Sequence, residues 1–391
     1  MSQMRLATWF LLLASTLTVM ASAPLAPALP GMTAAFTGVS EAAFWTKMTL
    51  ALPGLVIAIC APLVGSWVDR LPAYLLLRSG LVAFIISAAL GYYWQFSLWL
   101  LLLSRAFMGF AVALIMVAGT TLAGKYLSGE KFSQFIGMQA AFGGFGGVFF
   151  MALAGFLAQQ HWSWVFAIYA LALFILPGAW MWIKDPKSAA PTAPSDAPHY
   201  GLNSSFVGCC GLAFVEVLVL YGLTLYLPFY LTSLSASASD IGLIVAMFLL
   251  AMSVSSLCYG QLRRLLNVGQ AHVAGWLLVA LGFVLLSFTT TLTTVILTSL
   301  VVGIGLGAIR PNLVVWLFAV IPLAMRGKAM GIMTTCYFTG QFLSPVMFDP
   351  IIAWLGYQGF FLCLGTVIVS ITVLFSITFL VRKKAALAEL S

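Results

Sequence analysis

The chain has 391 residues, of which 63% are hydrophobic and only 7% are charged. Because a soluble domain carries roughly 25% charged residues, this composition excludes a soluble enzyme or binding domain. A membrane-spanning helix needs about 20 apolar residues, so the length suits about twelve such helices without a sizeable soluble domain. The apolar stretches are continuous rather than alternating, which argues against a membrane β-barrel. The predicted fold is therefore an all-α membrane protein.

The hydrophobic pattern predicts twelve transmembrane helices. Their predicted ranges are, in chain order, 6–30, 44–66, 75–95, 97–124, 134–158, 163–183, 206–231, 240–260, 272–290, 294–320, 329–350 and 359–381. The one long connection between them contains four prolines among Ala, Ser and charged residues, as flexible linkers do. The predicted organisation is a six-helix half over 1–183, a cytoplasmic linker over 184–205 and a second six-helix half over 206–391.

The charge distribution predicts the topology. The first apolar run lacks the pattern of a cleavable signal peptide, so it reads as a membrane helix with a cytoplasmic N-terminus. Of the 17 Lys and Arg residues, fourteen then fall on the cytoplasmic side, Lys47 falls on the opposite side, and Arg105 and Arg310 fall within spans. This asymmetry satisfies the positive-inside rule with both termini cytoplasmic. Since no clustered basic face is present, nucleic acid is not an expected partner.

The two predicted halves repeat each other at a constant spacing. Gly109 and Gly303 are 194 residues apart, and so are Gly137 and Gly331. Their shared offset, with a linker between the halves, indicates an internal duplication. Two six-helix halves related by an axis along the membrane normal are a recurring transporter architecture.

The connection after the second predicted span reads Gly65-Ser66-Trp67-Val68-Asp69-Arg70. It resembles the signature that joins helices 2 and 3 in the major facilitator superfamily, where Asp-Arg follows Gly by four residues. The resemblance implies a conformational or gating role for Gly65, Asp69 and Arg70. Gly65 would permit close helix approach, and Asp69 would accept from a helix N-terminus or a basic partner. Where the family then has Gly and basic residues, this chain has Pro72-Ala73-Tyr74.

Further matches are similar to the drug/proton antiporter branch of that superfamily, which has twelve helices. The fourth predicted span contains an Arg-xxx-Gly element, Arg105 to Gly109, and Trp162 to Phe166 follows at the spacing of that branch. Gly340 to Pro345 resembles the element of span 11. The stretch from Gly143 to Gly155 lacks the proline that the antiporter motif has. The resemblance implies a bacterial inner-membrane transporter that commonly works as a monomer.

Three charged residues are clear cases inside predicted spans, away from the span ends: Arg105 in span 4, Glu216 in span 7 and Arg310 in span 10. A charge at membrane depth is costly unless it is paired or hydrated, so each is a candidate for function. In the resembled family, spans 1, 4, 7 and 10 line the central cavity, which would place all three charges there.

Glu216 has two interpretations, and both remain open. It lies ten residues past Phe206, about 15 Å into the bilayer, so it is placed to carry a proton through a transport cycle. Alternatively, it is a permanently ionised partner of Arg310 that holds spans 7 and 10 together. It is the only strong candidate for proton coupling, since the first span carries no acidic residue.

The two intramembrane arginines are also open to more than one role. Arg310 either binds an anionic group of the substrate or neutralises Glu216. Arg105 either takes part in coupling and substrate contact or bonds to backbone carbonyls of span 1. Two positive groups against one negative group favour an anionic or zwitterionic organic substrate. Polar residues that are also expected to reach the cavity are Tyr221, Tyr226, Asn312 and Gln341.

The favoured function is export of a small organic molecule, drug-like or carboxylate-bearing, in exchange for protons. A proton/solute symporter is the main alternative, because the span 5 motif lacks its proline. A membrane enzyme is disfavoured, since His161, His199 and His272 fall in loops or at span ends. The six cysteines all fall within spans and have no metal-ligand spacing. No metal or cofactor is therefore expected, and the partners are the substrate, protons and the lipid bilayer.

Overall fold

The computed structural model describes residues 3–68, 70–127, 129–184, 204–322 and 325–388. Over these residues the secondary structure is helical and contains no strand, so the predicted all-α fold is confirmed. The helices are α1 Gln3–Met20, a 3₁₀ helix Ala23–Ala28, α2 Leu29–Ala35, α3 Ala42–Val68, α4 Ala73–Tyr93, α5 Leu98–Tyr126, α6 Gly129–Gln160, a 3₁₀ helix Trp162–Leu171, α7 Ala172–Trp182, α8 Ser204–Ser233, α9 Ala238–Leu257, α10 Tyr259–Leu265, α11 Val268–Leu286, α12 Leu292–Val320 and α13 Arg326–Ala388.

Eleven stretches of the described residues are long and apolar enough to cross a membrane. Ten of them match the first ten predicted spans. The eleventh, Arg326–Val373, has 48 residues, more than twice the roughly 20 that one crossing needs. Its helix α13 is broken at Gly356, whose φ of 67° and ψ of 179° are not helical. The break separates spans 11 and 12, so the structure agrees with twelve crossings.

The first span is not one continuous helix. Helix α1 ends at Met20, and a 3₁₀ turn and the short helix α2 complete the crossing. The cause lies in the sequence, because Pro24 and Pro27 have no N–H to continue an α-helical ladder. The N–H of Leu25 donates to the carbonyl oxygen of Ser22 at 3.2 Å. Since Pro24 has no N–H to offer, the carbonyl oxygen of Ala21 is open to side-chain donors.

The described residues form two compact units, Met1–Ala246 with Val320–Met347, and Met247–Ala319 with Phe348–Ser391. In the first unit, α5 packs closely on α3, because a Cβ at Gly109 would lie only 2.6 Å from the carbonyl oxygen of Pro53. In the second unit, α12 packs closely on α9, where a Cβ at Gly303 would lie 2.6 Å from the carbonyl oxygen of Phe248. Small residues allow such helix approach in membranes.

These two close contacts recur at the spacing of the predicted duplication. Gly109 and Gly303 are 194 residues apart, and their neighbours Pro53 and Phe248 are 195 apart. The backbone adds a second correspondence. Among described non-glycine residues, positive φ occurs at Glu41 (57°) and Ser235 (62°), before α3 and before α9. These residues are also 194 apart. Both correspondences support an internal repeat. Most of the predicted linker, residues 185–203, lies outside the described residues.

Candidate functional site

The structure places Arg105 beside the break in the first span. Arg105 is 0% exposed on α5, and its Nη1 donates to the hydroxyl of Tyr169 at 3.0 Å and to the carbonyl oxygen of Ala21 at 3.4 Å. The Tyr169 hydroxyl donates to the same carbonyl at 3.2 Å. The guanidinium also lies over the rings of Tyr169, at 5.1 Å, and Phe166, at 5.6 Å. Of its two expected roles, the bond to a span 1 carbonyl is therefore present.

The Arg105 charge is only partly satisfied by hydrogen bonds. Its Nε and Nη2 are buried and have no hydrogen-bond partner among the described residues. The two aromatic faces compensate for part of this cost, because a cation over a ring is stabilised by the ring quadrupole. These hydrogen bonds and ring contacts all come from the first six spans, so Arg105 ties spans 1, 4 and 6 together.

Gln341 lies between helices. It is 2% exposed on α13, and its Nε2 donates to the carbonyl oxygen of Leu50 at 3.2 Å and to the hydroxyl of Ser22 at 3.4 Å. Gly54 makes room for it, since a Cβ at that position would lie 2.9 Å from Gln341 Cδ. Gln341 therefore joins span 11 to spans 1 and 2. Whether it also binds substrate stays a prediction.

Tyr226, on α8, is buried against Lys47, a lysine that the charge count assigned to the non-cytoplasmic end of the second span. Lys47 lies five residues after the start of α3 and is only 6% exposed. Its Nζ lies 4.7 Å from the centre of the Tyr226 ring and 5.6 Å from that of Phe229. Sequence reasoning missed Lys47 as a functional candidate because span ends are uncertain by a few residues. The signal was present, since a lysine inside an apolar helix is a candidate by default.

Glu216 and Tyr221 lie on the same helix as Tyr226. Glu216 is 1% exposed, and Tyr221 is half-buried. Arg310 is half-buried on α12, directly before Pro311. Glu216 belongs to the first compact unit and Arg310 to the second. The ion pair between them therefore stays a prediction, as does the substrate contact of Tyr221.

Asn312 is held on both sides by protein groups. It is fully buried on α12, its Nδ2 donates to the carbonyl oxygen of Val268 at 3.0 Å, and its Oδ1 accepts from the Tyr259 hydroxyl at 2.7 Å. Burial raises the pKa of Tyr259, against the opposing charge of Arg263, so the hydroxyl stays protonated and donates. Asn312 thus connects α10, α11 and α12, and its predicted substrate contact is untested.

The residues of the loop signature are only partly described. Gly65 lies near the end of α3, and no atom of the described residues lies within 4 Å of where its Cβ would be, so they show no close helix approach there. Arg70 is exposed in the following turn. Asp69 lies outside the described residues. The gating role of these three residues stays a prediction.

A cavity of about 440 Å³ opens between α4 and the sixth span. Its wall includes Tyr169 and Phe166, whose rings lie under Arg105, and the exposed aromatic residues Tyr93 and Trp164. The lining is almost entirely apolar, so it lacks the convergent polar groups that orient a charged substrate. None of the residues predicted to bind substrate lines it.

Comparison with known proteins identifies the family. A sequence model of the Major Facilitator Superfamily matches residues 11–230 and 209–390. The class C tetracycline resistance protein of Escherichia coli is 28% identical over 280 residues, which cover 68% of this chain and 69% of that protein. An uncharacterized MFS-type transporter of Methanocaldococcus jannaschii is 25% identical over 134 residues. That match covers 34% of each chain, so this chain spans about a third of that relative.

The fold agrees with this assignment. The crystal structure of a D-xylose–proton symporter matches this chain with a TM-score of 0.74 at 16% sequence identity. The match covers 94% of this chain and 97% of the symporter chain. At this identity the likeness shows the fold alone. Since the family model extends over both sets of spans, the chain belongs to the major facilitator superfamily of membrane transporters.

Proposed function

We propose that this transporter exports a small organic molecule across the bacterial inner membrane in exchange for protons, by alternating access. Two observations support export. The relative from Escherichia coli, at 28% identity over 280 residues, is a tetracycline resistance protein. The Arg-xxx-Gly element of drug/proton antiporters is matched at Arg105 and Gly109, and Gly109 makes a close helix contact.

The burial of Glu216 is the observation that supports proton coupling. A carboxyl group that is 1% exposed within an apolar 30-residue helix is costly to keep charged. Such a group is suited to a cycle in which it gains a proton in one conformation and loses it in the other. We assign the proton-carrying role to Glu216, with Arg310 as the positive group that favours an anionic or zwitterionic substrate.

Arg105 has a different role in this proposal. Its contacts with Ala21 and Tyr169 hold the broken first span against spans 4 and 6. It therefore positions the wall of the cavity instead of contacting the substrate. Tyr221 and Tyr226 share α8 with Glu216 and remain candidates for substrate contact. Asn312 and Gln341 remain candidates too, in addition to their bonds between helices.

The remaining parts of the proposal concern organisation. Residues 1–183 and 206–391 form two six-helix halves that move relative to one another, and both termini are cytoplasmic. The protein works as a monomer. The main alternative is a proton/solute symporter built on the same residues, because the stretch from Gly143 to Gly155 lacks the proline of the antiporter motif.

The test is accumulation of a panel of drugs and organic acids, including tetracycline, in efflux-deficient bacteria that express the wild type, Glu216→Gln or Glu130→Gln. Glu130 is an exposed carboxylate at the start of α6 and is the matched control. We expect the wild type and Glu130→Gln to lower accumulation of at least one compound, and a protonophore or Glu216→Gln to abolish the effect. Full export by Glu216→Gln would overturn the coupling role, and raised accumulation with the wild type would identify an importer.

A further inference from the structure

Lys47 is a buried cation whose aromatic partners come from the opposite set of spans. It lies on α3, in the first six spans, whereas Tyr226 and Phe229 lie on α8, the seventh span. Tyr226 and Phe229 are three residues apart, so their rings project from one face of α8. An ammonium group that is 6% exposed within a membrane-spanning helix needs compensation for lost water, and the two rings contribute to it.

A second contact joins the two sets of spans at the same face of the membrane. A Cβ at Gly155, near the end of α6, would lie 2.7 Å from the Cα of Gly242, near the start of α9. Consecutive spans cross in opposite directions, so the start of α3, the end of α6, the end of α8 and the start of α9 lie at one face. We call it the contact face. The positive-inside pattern predicts that this face is periplasmic.

The two contacts differ in what happens when they separate. When the backbones of Gly155 and Gly242 separate, they lose only van der Waals contacts. The Lys47 ammonium, by contrast, loses two ring faces that contribute to its stabilisation, and water at the opened face takes their place. The lysine contact therefore has two distinct states, one closed over the rings and one hydrated.

We propose that Lys47, Tyr226 and Phe229 form a cation–π latch that holds the contact face closed and releases when that face opens. The inference rests on the proposed alternating-access function, and it concerns the balance between the two conformations. The positive charge of Lys47 is the essential element. An arginine retains the latch, and an uncharged side chain of similar length weakens it.

The test is the distance between spin labels at Ala43→Cys and Ser233→Cys, in the full chain with its six native cysteines replaced, in lipid nanodiscs. Both positions are exposed, at the start of α3 and the end of α8, so the pair spans the contact face. We expect Lys47→Met to raise the population at longer distances by at least about fivefold, and Lys47→Arg to keep the starting distribution. Phe229→Leu, which keeps the lysine, should raise the population at longer distances by a smaller factor. It replaces Lys47→Met as the test if that variant does not fold.

A Lys47→Met protein that folds but keeps the short distance would overturn the latch, and so would an opening of equal size in Lys47→Arg. The measurement needs neither substrate nor proton gradient. If the label distances behave as expected but Glu216→Gln still exports, the latch stands and the coupling role of Glu216 is rejected. If Glu216→Gln abolishes export but Lys47→Met keeps the short distance, only the latch is rejected.

Discussion

Arg105 and Lys47 are both buried cations that lie over pairs of aromatic rings, yet their partners differ in one respect. The rings and the carbonyl around Arg105, from Phe166, Tyr169 and Ala21, all belong to the first six spans. The rings around Lys47 belong to α8. In the proposed alternating-access cycle, contacts of the first kind would persist while the halves move, whereas contacts of the second kind would break. The same chemistry thus serves as a permanent joint in one place and as a releasable one in the other.

The largest effect is expected at a joint within the first six spans. Gly109→Val places a side chain where a Cβ already lies 2.6 Å from the carbonyl oxygen of Pro53, so α5 and α3 must separate in every conformation. We expect a loss of about 3 kcal/mol or more of stability, seen as a lower apparent Tm in detergent. Gly119→Ala on the same helix is the control, because no atom in the described part of the chain lies within 4 Å of its Cβ position. A wild-type Tm for Gly109→Val would show that this contact is adaptable.

A smaller loss should follow removal of the hydroxyl of Tyr169. In Tyr169→Phe, Arg105 keeps its ring contact but loses its 3.0 Å acceptor, and Ala21 loses one of two donors. Leaving these buried groups less satisfied costs about 1–3 kcal/mol. Thermal unfolding of the purified protein measures the effect. Phe166→Leu removes the second ring from Arg105 but keeps a buried apolar side chain against Gly91 and Tyr169. It should cost less, and the opposite order would mean that the rings dominate.

The sequence predicted the crossings well, but it did not predict which groups the buried polar side chains contact. An apolar stretch of about 20 residues fixes a span, which is why ten of the eleven described stretches match predicted spans one to one. The prolines at 24 and 27 carried a signal for the broken first span that hydrophobicity alone did not use. The direction in which a side chain points is harder to predict, because it depends on how the helix is rotated about its axis. Gln341 and Asn312 were expected to reach a cavity, and the structure shows them bonded to carbonyls of neighbouring helices.

At the contact face, a change should alter conformation more than stability. In Gly155→Ala, the new methyl lies 2.7 Å from the Cα of Gly242 and 2.9 Å from the carbonyl oxygen of Ala238 when the face is closed. Opening relieves this overlap of about 1–2 kcal/mol, so the label distance should lengthen while the apparent Tm changes little. Gly143→Ala on the same helix, with 3.5 Å to Val19, is the control. A fall in Tm at unchanged distance would make Gly155 a permanent joint.

The smallest effect is expected in the second compact unit. Tyr259→Phe removes the hydroxyl that donates to Asn312 at 2.7 Å, which should cost about 1 kcal/mol. If Asn312 acts between helices, Tm falls by a few degrees and the KM of a transported compound stays the same. A KM that rises several-fold at an unchanged Tm would instead return Asn312 to the substrate site.

The most direct test of the distinction between permanent and releasable contacts is one comparison on one label pair. The distance between labels at Ala43→Cys and Ser233→Cys is measured by pulsed electron paramagnetic resonance in Lys47→Met and in Arg105→Met. Both changes remove a buried cation from its rings, and they differ in whether those rings lie on α8. We expect longer distances in Lys47→Met alone. Equal lengthening in both variants, or lengthening in Arg105→Met alone, would contradict the account.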